Sequence, residues 1–244
     1  MRFNLSVFGL LLCLVWTNLS AQAPNTLSAQ EKKEGWTLLF DGHDLKGWHK
    51  YNGKATGPSW RIDGSALQLY VPQRAGNKAP DGGDLVTDAV IPGDFEFKAE
   101  WKVDRFTNNG IFFFVQEAPQ YKNIYDTGLE LQIQDDAIYE GATETQNRHR
   151  AGDLFGVATA SVRELQPVGQ WNQLAVTMRK NKLTIVLNGY TIHEHDLTSA
   201  DWKQRIAASK VKDAPVSKGK FSGRIGLQDW GSSVWYRNVK LRRL

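Results

Sequence analysis

In GLELQIQDD, Gly128 to Asp136, a run of apolar residues is threaded with groups able to move protons or hold hydroxyls. If the segment is extended, Leu129, Leu131 and Ile133 share one face, and Glu130, Gln132 and Gln134 share the other. The first face requires a core. The second sets a carboxylate between amides, the equipment of a general acid or base with hydrogen-bonding neighbours, provided that face lines a cleft. A conventional glycosidase would need a second carboxylate opposite Glu130, for which Asp135 and Glu117 are the candidates. His193 and His195 in HEHD point the same way on a strand and could form two ligands of a metal edge, but no third ligand is identifiable. DGGD, 81–84, lacks the ligand spacing of a calcium loop and reads as a turn.

Short strands must position these groups. Alternation or β-branched and aromatic enrichment marks 36–40, 60–71, 95–103, 110–116, 129–134, 172–196, 223–229 and 234–243. Turn signals fall at 41–42, 63–64, 81–83, 108–110 and 188–189. Asn188-Gly189 suits the positive φ angles of a type I′ hairpin, and RKNK, 179–182, suits another tight turn, so 172–196 is expected to be a three-strand meander. One short helix is expected at 199–210, capped by Ser199, with Trp202 and Ile206 on one face. Many short strands without alternating helices indicate an all-β, two-sheet antiparallel sandwich. The long connections, 43–59, 72–84, 117–127 and 135–153, are the places to build a site.

The 244 residues divide into an expected signal peptide at 1–23, a flexible linker at 24–34 and one domain at 35–244. Arg2, the apolar run Leu5 to Trp16 and the small residues of SAQA form the leader, which is cut after Ala23 or Ala21 and is too short to span a membrane. Export to the periplasm or the medium follows, with no membrane span once the leader is gone. Cys13 leaves with it, so the mature chain has no thiol nucleophile, disulfide or cysteine-bound metal. The net charge of +4 falls to +3 on losing Arg2, and basic residues are interspersed with acidic ones, which argues against nucleic acid. Of nine tryptophans, Trp36, Trp48, Trp60, Trp101 and Trp171 precede or begin strands and are expected in the core.

Several segments occur together in one order: LLFDGHDLKGW (38–48), FEFKAEW with NNGIFFF (95–114), LELQIQDD (129–136), GQWNQLAV with VLNG (169–189), ASKVK (208–212) and GRIGLQDWGSSVWYRNVKL (223–241). In these the chain resembles the 3-keto-disaccharide hydrolase family over nearly the whole mature length. The resemblance implies a concanavalin A-like sandwich, or jelly roll, with a sugar-binding cleft. It also implies cleavage of a 3-keto-glycoside by C2 proton abstraction, elimination of the aglycone and hydration. An oxidised glycoside is then the partner. No cofactor is required, and a divalent cation is left open. On the matching positions Glu130 becomes the base or acid and His149, in NRHRAGDLF, its proton-transfer partner. Gln132, Asn108, Asp135, Lys210, Gln228, Asp229, Trp230 and Arg237 become substrate-binding. Two positions depart from the family pattern: Trp230 stands in QDWG where the motif usually has histidine, and Phe114 stands where arginine is frequent. By strand parity Phe114 shares the face of Asn108 and Phe112, so both changes would make the cleft more aromatic. A non-catalytic carbohydrate-binding module and a two-carboxylate glycosidase are the competing readings.

Overall fold

The computed structural model describes residues 22–72, 79–139 and 149–244, so the leader expected at 1–23 lies almost wholly outside the described residues. The described chain folds as a two-sheet antiparallel β-sandwich. The larger sheet runs β11 (Tyr190–Asp196), β10 (Lys182–Leu187), β9 (Asn172–Arg179), β6 (Phe95–Val103), β13 (Val234–Arg243), β4 (Ala66–Leu69) and β3 (Trp60–Asp63), and β1 (Thr37–Leu38) also pairs with β13. The smaller sheet runs β2 (Trp48–Lys50), β5 (Leu85–Thr87), β12 (Arg224–Leu227), β7 (Asn108–Val115) and β8 (Leu129–Gln134).

Alternation sets which residues fill the space between the sheets. Phe97, Trp101, Leu174, Val176, Tyr236 and Leu241 of the larger sheet meet Ile111, Phe113, Leu129, Leu131, Ile133 and Leu227 of the smaller one, all in one buried cluster. The meander forms as expected: Asn188 and Gly189 take φ of 50° and 87°, and Lys180 and Asn181 take 49° and 64°. The helix α2 is Ala200–Ala207, with Ser199 Oγ accepting from the Trp202 amide at 3.1 Å and Trp202 and Ile206 buried. It stops short of the expected 210, with Ala208 as its C-cap. The strands β2 and β5 have three residues each, too few to show alternation in the sequence.

Three expectations are corrected. The linker at 24–34 is docked: α1 (Ala29–Lys33) has a full capping box between Ser28 and Glu31, and Glu31 pairs with Lys240 of β13. Asn25 and Asn238 also exchange amide-to-side-chain hydrogen bonds of 2.7 Å. Trp171 is half-buried outside the core, with the Arg237 guanidinium 4.1 Å above its ring. Phe114 does not share the face of Phe112. Phe112 pairs with Gly226 and Val115 with Arg224, so two residues of β7 oppose Ile225 alone. This bulge holds Phe114 at φ 64° and resets the parity, and Phe114 packs in the core at 6.1 Å from Phe95 and 5.9 Å from Phe221. Among the described residues no helix is long and apolar enough to cross a membrane.

Candidate functional site

The floor of the site is the outer face of the smaller sheet, turned away from the core. Phe112 pairs with Glu130 and Gly110 with Gln132 across β7 and β8. Gly110 is needed there, because a β-carbon would collide with Glu130 Oε1; the carboxyl group lies across the space a side chain would fill. On the other side of Gly110, Gln228 donates its amide to the Gly110 carbonyl at 2.9 Å, and its side chain hydrogen-bonds Glu130. Gln132 donates to Asn108 Oδ1 at 2.5 Å and to the Asn109 carbonyl at 3.2 Å, fixing the Asn108 amide.

Loops turn this face into a hollow. Residues 149–160 run along the free edge of β8: the Gln132 amide donates to the Asp153 carbonyl, Gly152 to the Gln132 carbonyl and Phe155 to the Glu130 carbonyl, each at 2.9 Å. Asp153 locks that loop from inside. Fully buried, its carboxylate accepts from the Arg150 and Ala160 amides and pairs with Arg163 at 2.7 Å. His193 backs the loop by donating from Nε2 to the Gly152 carbonyl at 2.8 Å. A carbonyl can only accept, so His193 Nδ1 bears no proton in the neutral ring and faces His195 Nε2 at 3.3 Å. Burial pushes His193 down to about 4. His193 therefore supports the loop, while His195 packs against His193 and Trp202. Among the described residues no three metal-ligating side chains are gathered together.

The hollow has a volume of about 430 Å³. Its polar lining is Glu130, Asn108, Gln228, Lys210 and Asp126, and its apolar lining is Phe112, Tyr125, Phe155, Val211 and Trp230. Tyr125 comes from the 3-10 turn Ile124–Asp126, and the Lys210 ammonium sits 5.0 Å from the Phe155 ring. Glu130 is 7% exposed. Burial, then the negative charge of Asp84, push its carboxyl up to about 8, against the hydrogen bond from Gln228 and the charge of Lys210. Near neutral pH such a group can both take and give a proton. A second hollow of about 430 Å³, between α2 and residues 216–221, holds three lysines and no carboxylate.

Of the residues singled out in the sequence, Glu130, Asn108, Lys210, Gln228 and Trp230 line one hollow. Gln132 lies behind it, holding Asn108, and His149 packs its ring 4.2 Å from Phe155 without lining the hollow. Three residues fall elsewhere. Asp135 accepts from the Phe106 and Ala137 amides and organises the turns flanking β7 and β8. Asp229, fully buried, accepts from the Ala79, Gly83 and Gly231 amides and ties down the 79–83 loop. Arg237 is on the larger sheet, paired with Glu100 at 2.7 Å. Glu117 is likewise engaged, 2.9 Å from His49 and 2.7 Å from Arg224.

The sequence reading missed Asp84, Tyr125 and Phe155. Asp84 was absorbed into a turn motif, yet it is buried and its Oδ1 accepts from the Asp229 amide at 2.8 Å. Tyr125 and Phe155 are on loops, where periodicity gives no signal.

Residues 35–242 match the family model described as the 3-keto-alpha-glucoside-1,2-lyase-like domain. The chain is 25% identical to a 3-keto-disaccharide hydrolase of Bacteroides thetaiotaomicron, over 93% of this chain and 84% of that protein. Among solved structures, one described as a proposed glycosyl hydrolase of Parabacteroides distasonis is 30% identical, covers 91% of this chain and all of its own, and superposes with a TM-score of 0.79. A Bacillus subtilis protein of unknown function with a galectin-like fold, 14% identical with a TM-score of 0.53 over 85% of this chain and 94% of its own, shares the fold alone.

Proposed function

The chain belongs to the 3-keto-alpha-glucoside-1,2-lyase-like domain family, and from that membership we propose an exported enzyme that cleaves 3-keto-glycosides by elimination and hydration. One observation carries the reading: the Glu130 carboxyl is buried in a hollow beside Asn108, Gln228 and Lys210 and is pushed to about 8. A ketone at C3 acidifies the C2–H bond. Glu130 takes that proton, and the C–H electron pair becomes the enolate of the C3 carbonyl. The Lys210 charge and the amides of Gln228 and Asn108 stand beside the hollow to stabilise the enolate oxygen and orient hydroxyls. The enolate collapses, the C1–O bond breaks, and C1=C2 forms in conjugation with the carbonyl. The protonated Glu130 gives its proton to the departing oxygen. Water then adds, hydroxyl to C1 and proton to C2, giving the 3-keto-sugar and a free aglycone.

The buried Asp84 near Glu130 favours one second reading, a two-carboxylate hydrolysis of ordinary glycosides. Incubating the purified protein with trehalose and 3-keto-trehalose separates the two. Release of sugar from the 3-keto form alone supports elimination. Release from trehalose itself contradicts it.

A further inference from the structure

The hollow is lined by polar and aromatic groups together, and two of the aromatic ones stand in a definite mutual geometry. Trp230 and Tyr125 both line it, with ring centroids 6.5 Å apart and planes at 78°. They form a corner. Both arms are held independently of any ligand: the Trp230 amide donates to Asn109 Oδ1, whose own amide donates to the Ser232 carbonyl at 2.9 Å. Tyr125 rides on a 3-10 turn closed by Asp126, which accepts from the Asn123 amide, and by the Thr127 hydroxyl, which donates to the Ile124 carbonyl. Phe112, the cross-strand partner of Glu130, and Phe155, whose amide donates to the Glu130 carbonyl, line the same hollow.

Resting on the reading of Glu130 as base for a 3-keto-glycoside, we infer that the group expelled from C1 is an uncharged planar aromatic ring rather than a second sugar. A flat ring stacked on one arm of the corner presents its positive edge to the face of the other, and both contacts are favourable. A sugar chair can lay its C–H face on one arm, but its equatorial hydroxyls then meet the second ring, which offers them no acceptor of ordinary strength. Charge narrows the class further. Among the described residues, Asp126 and Lys210 line the hollow with opposite charges and buried Asp84 acts on both Tyr125 and Glu130 through space, a net negative balance that disfavours an anionic ring. Trp230 and Tyr125 are then the residues that choose the leaving group, and Glu130 acts on any 3-keto-sugar presented to it.

Binding of intact, non-oxidised ligands to the full chain tests this without chemistry. Titration calorimetry with phenyl glucoside, cyclohexyl glucoside of the same anomeric configuration and trehalose should give phenyl glucoside a Kd about tenfold below the other two, the size expected of two aromatic contacts. Trp230→Leu, checked for folding by circular dichroism, should erase that advantage, and a carboxylate on the phenyl ring should weaken binding. Equal Kd values for phenyl and cyclohexyl glucosides, tighter binding of trehalose, or no binding of any of the three overturns the inference. Turnover assays on the matching 3-keto-glycosides keep the two proposals apart. A phenyl preference in binding with no turnover of any substrate defeats the elimination chemistry and leaves the aromatic corner standing. Turnover without aryl preference does the reverse.

Discussion

Glu100 and Glu130 are alike in position and opposite in circumstance. Each lies within a strand, each projects from the face of its sheet that points away from the core, and each has a cation in its surroundings. Glu100, on the larger sheet, is engaged by Arg237 and by the Asn238 side chain at 2.8 Å, in sight of water. Glu130, on the smaller sheet, lies in a hollow that Phe155, Lys210 and Val211 of the flanking loops help to close, feels the charge of Asp84, and meets Lys210 only through space. Strand alternation placed both carboxylates outward. The loops decided which became an ordinary surface ion pair, worth on the order of 1 kcal/mol or less, and which became a desolvated acid.

The sharpest way to break the comparison is to neutralise each carboxylate. Glu130→Gln should lower kcat on a 3-keto-glycoside about a thousandfold, within the range of a lost general base, while Glu100→Gln should leave it within about twofold. Comparable losses in both would mean that the roofed face is not the reacting one. Next comes the roof. Asp153→Ala leaves Arg163 without its buried partner and releases the loop carrying Phe155, and denaturant unfolding should register a loss of about 3–5 kcal/mol. Arg237→Ala on the open face should lose about 1 kcal/mol. Smaller still is the contribution of Asp84. A base that ionises at about 8 is largely protonated at neutral pH, so kcat/KM should rise with pH and level off above that value. Asp84→Asn removes a negative charge that disfavours ionised Glu130, so the rising limb should move to lower pH. A limb that moves upward, or that falls through the same range in the wild type, would reverse the assigned direction of proton transfer.

The sequence made much of this legible where periodicity operates. The face of Glu130 and Gln132, the type I′ turn at Asn188-Gly189 and the Ser199 cap follow from spacing and turn chemistry, and the structure has all three. Parity failed at Phe114 because one bulge, unsignalled by any glycine in NNGIFFF past Gly110, resets it by a residue. Arg237 could not be placed because a strand pattern does not say which sheet it joins. Asp229 and Asp84 show a different blind spot. The motif aspartate Asp229 anchors the 79–83 loop, while Asp84, read only as part of the DGGD turn, is buried where its charge acts on Glu130.

The contrast between the two glutamates comes down to where one carboxyl group ionises. Recording carboxyl ¹³C resonances of the wild-type protein and of Glu130→Gln across pH 4 to 10, and subtracting, isolates that single group. A resonance present only in the wild type and titrating near 8 is the result this account predicts. The same resonance titrating near the ordinary carboxyl value of 4.5 would contradict it, because Glu130 would then be as well solvated as any surface glutamate.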